Sequence, residues 1–183
     1  MPTGVSNHVP GMSQHKGQII NRFGLDQTGT INYQFNQQGF RAPVDFDFAP
    51  DYAFFGCSLV FGVGVQHEYA FPTMFNRSHN YGLAGNYNND DIFLIIKNYL
   101  NSDSYISLTK KFVCWTNRNA ENIDSYSNQL SQEGFIQLFC GDTMPYKNCF
   151  SVLPNIDVDA SCTHMGIKTH LTTYKLLCSL FNQ

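Results

Sequence analysis

The chain has 183 residues, of which 43% are hydrophobic and 15% aromatic, and its formal net charge at pH 7 is -3. This length suits one domain that can bury a core without disulfide or metal staples. The small charge and the absence of a basic run argue against electrostatic binding of nucleic acid or of an anionic membrane.

The first 38 residues form a polar segment rich in Gly, Asn, Gln, Ser and Thr, with little apolar periodicity. Such a composition predicts an N-terminal arm over residues 1–38, followed by one folded domain over residues 39–183. A flexible tail and an arm that docks on a neighbouring subunit are both compatible with it.

From residue 51 onward, apolar runs of strand length alternate with segments of helical periodicity. The predicted strands cover residues 51–55, 79–83, 111–115, 135–140 and 150–153. The predicted helices cover residues 88–100, 120–132 and 165–181, with one or two further turns over 68–75. Strands that alternate with helices imply an α/β fold with a mainly parallel sheet.

The six cysteines include no CxxC pair and no tight Cys/His cluster, so we expect neither a zinc site nor a cofactor. We expect reduced thiols, several of them buried in apolar runs. The N-terminal residues lack the apolar core of a secretion signal, and no apolar run is long enough to span a bilayer. These features predict a soluble, cytoplasmic protein and leave its oligomeric state open.

Polar and glycine residues follow three of the predicted strands, where sites form in open parallel sheets. The three ends are Gly56-Cys57-Ser58, residues 82–86 and residues 116–119, and the loop before the last helix adds His164. A serine hydroxyl attacks an acyl group only when a nearby base takes its proton and donors stabilise the oxyanion. The combination therefore favours acyl transfer with Ser58 as nucleophile.

Five blocks of this chain resemble, in order, those of the SGNH (GDSL-like) hydrolases. Phe54–Val65 is similar to the first block, a strand followed by Gly-Asp-Ser and a Phe-Gly-rich stretch. Asn36–Arg41 resembles the Asn…Gly-Phe-Arg lead-in of many members, and Asn80–Gly85 resembles the second block. Residues 112–119 stand where the third block lies, and His164–His170 resembles the final His block.

The resemblance implies a flavodoxin-like, three-layer α/β/α sandwich and an esterase without metal. It assigns Ser58 as nucleophile and His164 as general base. The oxyanion would be held by the backbone N–H groups of Ser58 and Gly85 and by the side-chain amide of Asn117, or alternatively of Asn119. Small esters or acylated carbohydrates, with short acyl groups such as acetyl, are the implied substrates.

The carboxylate of the catalytic triad departs from the family pattern. The family places an Asp three positions before the histidine, where this chain has Ser161. Asp159 is the nearest replacement, with Asp157 behind it, and a backbone carbonyl that holds the ring would leave a Ser–His dyad. Cys57 replaces the Asp that usually precedes the nucleophile, and the third block lacks its usual glycine.

Other interpretations of the same residues remain open. Ser58 could serve only as a helix N-cap, and His164 could only lead into the last helix. Cys57 as nucleophile is a further alternative. The scaffold would then be a non-catalytic module that binds a glycan or a protein, or a structural component of a larger assembly.

Overall fold

The computed structural model describes residues 14–21, 24–85, 87–103, 105–116, 120–140, 149–151 and 164–181. The strands are β1 (Gln14–Asn21), β2 (Gly24–Asn32), β3 (Tyr52–Gly56), β4 (Ser78–Gly82), β5 (Lys110–Thr116), β6 (Phe135–Cys140) and β7 (Cys149–Ser151). The α-helices are α1 (Ser58–Phe61), α2 (Asn89–Leu100), α3 (Ile123–Gln132) and α4 (Ile167–Phe181). Short 3₁₀ turns cover His67–Tyr69, Phe71–Met74 and Ala120–Asn122.

Five strands form one sheet in the order β4-β3-β5-β6-β7. Each neighbouring pair in it is parallel. The predicted α/β fold with a mainly parallel sheet is therefore confirmed. Parallel order brings the carboxyl ends of β3, β4 and β5 to one edge of the sheet, and β3 lies between the other two.

The sheet is apolar on both faces because successive side chains of a strand point to opposite sides. Phe55 of β3 and Trp115 of β5 pack in one core cluster with the apolar faces of α2 and α3. Phe54 of β3 and Phe112 of β5 pack in a second cluster with residues of α1 and α4. Burial on both faces explains why the central strands read as continuous apolar runs rather than as alternating ones.

Helix α2 begins as the sequence predicted. The side chain of Asn88 accepts hydrogen bonds from the backbone N–H groups of Asp90 and Asp91, at 2.8 and 3.2 Å. Asp91 in turn accepts from the backbone N–H of Asn88 at 2.8 Å, which completes a capping box. Asn88, rather than its neighbour Asn89, is therefore the N-cap.

The N-terminal segment contains regular structure that its composition does not indicate. Strands β1 and β2 pair as an antiparallel hairpin that forms a sheet of its own. Ile31, near the end of β2, and Tyr33, just beyond it, are buried against Phe61, Val63 and Ala84. The boundary between arm and domain at residue 38 stays a prediction.

The longest helices of the described segments pack in the two cores. Within those segments, no helix combines the length and the apolar character that crossing a bilayer requires.

Candidate active site at the carboxyl edge of the sheet

The carboxyl ends of β3 and β4 are in register. Gly56 pairs with Gly82, and the backbone N–H of Leu83 donates to the carbonyl of Gly56 at 2.7 Å. On the other side of β3, Gly56 pairs with Cys114, two residues before β5 ends. Ser58, which follows β3 by two residues, therefore lies between the ends of two neighbouring strands.

Two glycines allow the helix that carries Ser58 to lie directly on the strands. A Cβ atom at Gly56 would come within 2.7 Å of both the carbonyl oxygen of Cys114 and a methyl group of Val60. A Cβ atom at Gly82 would come within 2.6 Å of the carbonyl carbon of Val60. Real Cβ atoms do not approach other atoms so closely, so any larger residue would push α1 away from the sheet.

Asn80, which is 4% exposed, fixes α1 to β4. Its side-chain amide donates to the carbonyl of Val60 at 2.8 Å. Its side-chain oxygen accepts from the backbone N–H of Gly82 at 2.9 Å. Both the nitrogen and the oxygen of this amide form hydrogen bonds, which holds α1 in one position relative to β4.

Ser58 is the first residue of α1 and is half-buried. Its carbonyl accepts hydrogen bonds from the backbone N–H groups of Gly62 and Val63, at 2.9 and 3.0 Å. Within the described part of the chain its hydroxyl makes no hydrogen bond, and none joins it to His164. Such bonds are often long in ligand-free enzymes and tighten only around the substrate.

Gly85, the predicted oxyanion-hole glycine, lies three residues beyond the end of β4. It is exposed, and its φ of 98° is a conformation that other residues rarely adopt. Leu83 and Ala84 before it are buried. The turn therefore leaves the core at Gly85, on the same edge of the sheet as Ser58.

Asn89 fixes the end of β5, from which the predicted amide donors follow. It is fully buried, its side-chain amide donates to the carbonyl of Thr116 at 2.8 Å, and its oxygen accepts from the N–H of Thr116 at 3.0 Å. Asn117 and Asn119 lie outside the described residues.

His164 is half-buried and stands three residues before α4. The next residue, Met165, packs against the core cluster that contains Leu59 and Val60 of α1. Ile167, at the start of α4, is buried with Val65, which follows α1. The segment that carries His164 therefore lies on the same side of the sheet as the helix that carries Ser58.

The buried ring of His170 attaches α4 to the 3₁₀ turn at Phe71–Met74. Its Nδ1 accepts a hydrogen bond from the backbone N–H of Phe71 at 3.2 Å. The ring also stacks on that of Phe71, with centroids 6.0 Å apart. His170 therefore packs in the interior and helps to fix the start of α4.

The carboxylates predicted to orient the ring of His164 are those of Asp159 and Asp157. Asp157, Asp159 and Ser161 lie outside the described residues, so the choice between Asp159, Asp157 and a backbone carbonyl stays a prediction. Among the described residues, no group of three or more His, Cys, Asp or Glu side chains could hold a metal ion.

A second histidine, His67, lies in the 3₁₀ turn that follows α1. It is half-buried, and burial lowers its pKa to about 4, to which the nearby positive charge of Arg41 contributes. Arg41 itself is 2% exposed and donates to the carbonyls of Phe61, at the end of α1, and of Val65, beyond it. The Asn36–Arg41 lead-in contained this residue, but nothing in the pattern revealed its acceptors.

Buried amides therefore hold the helix that begins at the half-buried Ser58 and the end of β5. The turn at Gly85 lies at the same edge, and the segment that carries His164 lies on the same side of the sheet as α1. A hydroxyl, an imidazole and backbone donors are the parts that acyl transfer requires. No protein-family model matches the chain, and no curated protein or solved structure shows significant similarity to it.

Proposed function

We propose that the chain is a serine hydrolase of the SGNH type that cleaves carboxylic esters through an acyl-serine intermediate. The observation that carries this proposal is the position of Ser58. It is half-buried, stands two residues after β3, the strand between β4 and β5, and begins a helix held against the sheet by Gly82 and Asn80. Ligands of open parallel sheets bind at this edge.

The topology supports the same assignment. The order β4-β3-β5-β6-β7 corresponds to the flavodoxin-like order 2-1-3-4-5, whose switch point lies between the first and third strands. Here that point falls between β3, which leads to Ser58, and β5, which leads to Asn117 and Asn119. Two core clusters on opposite faces favour the three-layer α/β/α arrangement.

In the proposed reaction, the oxygen of Ser58 attacks the ester carbonyl carbon while His164 takes the hydroxyl proton. The tetrahedral intermediate collapses, the bond to the alcohol oxygen breaks, and His164 returns the proton to the leaving alcohol. Water then attacks the acyl-serine and gives a proton to His164. The second tetrahedral intermediate breaks its bond to the Ser58 oxygen and releases the acid, while His164 returns that proton to the Ser58 oxygen. Asp159 would hold the imidazole ring in position.

The oxyanion of both tetrahedral intermediates needs donors that are already in place. We assign the backbone N–H groups of Ser58 and Gly85, and the side-chain amide of Asn117 or Asn119. The register of β3 and β4 brings the first two to one edge, and the Asn89–Thr116 pair holds the strand end from which the third follows.

The proposed substrates are esters of short acyl groups, such as acetyl, on a small alcohol or a carbohydrate. Short acyl groups on sugars are common substrates of the SGNH hydrolases that the chain resembles.

The test compares hydrolysis of p-nitrophenyl acetate and butyrate by wild type, Ser58→Ala and Ser78→Ala. Ser78 begins β4 at the opposite edge of the sheet and is also half-buried, so it is a matched control. We expect Ser58→Ala to lose at least about a thousandfold in kcat/KM and Ser78→Ala to keep the wild-type value. Equal turnover by all three proteins would remove Ser58 from its role.

The second candidate is a non-catalytic module that binds a glycan or a protein. It is favoured by Ser161 at the usual triad position and by the absence of a hydrogen bond between Ser58 and His164. A fluorophosphonate probe separates the two functions because it labels only an activated serine. Strong labelling of wild type but not of Ser58→Ala would exclude the binding-only function.

A further inference from the structure

Arg41 is a buried cation whose side-chain hydrogen bonds all go to one short backbone segment. Its guanidinium donates to the carbonyls of Phe61 at 3.0 Å and Val65 at 2.7 Å, and also to that of Gly62. Phe61 ends α1, and the next four residues form the turn that follows it. We name residues 61–65 the post-nucleophile turn.

Burial of the charged guanidinium costs free energy, which indicates that Arg41 has a structural role at this position. A buried cation without a partner is strongly unfavourable, and the three carbonyls supply neutral acceptors rather than a hydrogen-bonded carboxylate. The side chain of Arg41 also lies over the Tyr33 ring, 4.5 Å from its centroid. Burial lowers the pKa of Arg41 to about 10, so the group remains charged at neutral pH.

Tyr33 holds the same turn from the same side. Its hydroxyl accepts a hydrogen bond from the backbone N–H of Gly64 at 2.9 Å. Arg41 thus donates to carbonyls of the post-nucleophile turn, while Tyr33 accepts from one of its N–H groups. A planar guanidinium can reach several carbonyls at once, whereas a lysine ammonium is a compact point charge that lacks this fork.

The post-nucleophile turn contacts Ser58 at one end and, at the other, the start of the helix that follows His164. The N–H groups of Gly62 and Val63 donate to the carbonyl of Ser58. At its other end, Val65 is buried against Ile167, three residues after His164. A shift of this turn would therefore move the start of α1 and the start of α4 relative to each other.

We infer that Arg41 is a positioning residue that sets the geometry between Ser58 and His164 by holding the post-nucleophile turn. The inference rests on the proposed hydrolase function for its catalytic consequence, whereas the mechanical role of Arg41 can be measured without any substrate. A misplacement of about 1 Å can lower a rate by about a hundredfold, so a small shift of the turn suffices.

The experiment uses Arg41→Lys and Arg41→Met in the full chain, with Arg77→Met as control. Arg77 is half-exposed and donates to the carbonyl of Ala49, away from the carboxyl edge of the sheet. We expect Arg41→Lys to keep a cooperative unfolding transition but to lose about tenfold to a hundredfold in kcat for p-nitrophenyl acetate, with KM nearly unchanged. Added guanidinium ion should restore part of the kcat of Arg41→Met but not alter the control.

Hydrogen exchange followed by mass spectrometry reports on the turn itself. The N–H groups of Gly62, Val63, Gly64 and Val65 all donate hydrogen bonds in the wild type, so they should exchange faster in Arg41→Lys and at the wild-type rate in Arg77→Met. Unchanged exchange in a folded Arg41→Lys, or an unchanged kcat, would overturn the inference. Absence of esterase activity and of fluorophosphonate labelling in the wild type would instead overturn the proposed function, since exchange measures the turn independently.

Discussion

The side chain of Asn80 joins β4 to the carbonyl of Val60 in α1 at 2.8 Å. This amide therefore joins the segment Asn80–Gly85 to the segment Phe54–Val65, the two that resemble the second and first blocks of SGNH hydrolases. It links the strand before Gly85 to the helix that begins at Ser58. The two halves of the proposed oxyanion hole are thus connected by one buried side chain.

Replacement of Asn80 by alanine should destabilise the protein by about 3 kcal/mol. The variant leaves the carbonyl of Val60 and the N–H of Gly82 buried without their partner, and each such loss costs about 1–3 kcal/mol. Urea unfolding measures the change, with the exposed Asn128→Ala as control. A cost within about 0.5 kcal/mol of the control would show that the amide is not needed.

Gly82→Ala should destabilise the protein more than the addition of one methyl group usually does. The added Cβ would meet the backbone of α1, which cannot give way as a flexible side chain can. We expect a loss of about 3 kcal/mol in the free energy of unfolding, together with weaker fluorophosphonate labelling of Ser58.

Gly134→Ala provides the contrast for this prediction. Gly134 follows α3 with a φ of 73°, and a Cβ there would meet nothing within 4 Å. Its replacement should cost only about 1 kcal/mol, from backbone strain alone, and leave labelling unchanged. Equal effects of the two alanines would contradict the steric explanation for Gly82.

The sequence predicted the parallel sheet and its helices because the signals for them are local. Ala53, Phe54 and Phe55 are all buried, as a continuous apolar run predicts for a central strand. The capping box between Asn88 and Asp91 spans only four residues, so its signal is also local in the sequence. The hairpin of β1 and β2 was not predicted, because its segments lack a clear apolar alternation.

Contacts between distant segments account for what the sequence did not reveal at the site. Arg41 binds carbonyls that lie 20 to 24 positions further along the chain, and a backbone carbonyl has no residue signature. Gln137, in the middle of a predicted apolar strand, similarly accepts from the indole N–H of Trp115 at 2.9 Å. The order of the blocks suggested which residues meet, but not which side chains hold them.

His79 predicts a pH dependence of stability. It is 1% exposed, and burial lowers its pKa to about 4. The charge of Asp47 raises this pKa and the charge of Arg77 lowers it, and both effects are smaller than that of burial. The unfolded chain, in which the imidazole titrates near 6.5, therefore binds more protons than the folded chain between pH 6.5 and 4. The free energy of unfolding should fall as the pH falls through this window, by about 3 kcal/mol for this group.

Urea unfolding of wild type and His79→Phe between pH 7 and about 4 measures this effect. A phenyl ring can keep the stacking that His79 makes with Phe46, whose centroid lies 4.1 Å away. The variant should lose less stability on acidification, although His67, whose pKa is also lowered to about 4, retains part of the slope. Identical slopes in the two proteins would contradict a neutral, buried His79.

Asn89→Leu should lower activity through the end of β5. The leucine fills a similar volume but cannot pair with the N–H and the carbonyl of Thr116, which would cost about 3 kcal/mol. If Asn117 or Asn119 donates to the oxyanion, a displaced strand end should reduce kcat for p-nitrophenyl acetate by about tenfold or more, with little change in KM. The half-buried Asn98→Leu, on the same helix, is the control and should keep both parameters. A folded Asn89→Leu protein with the kcat of the control would separate the end of β5 from the reaction and would leave the oxyanion to the backbone donors at Ser58 and Gly85.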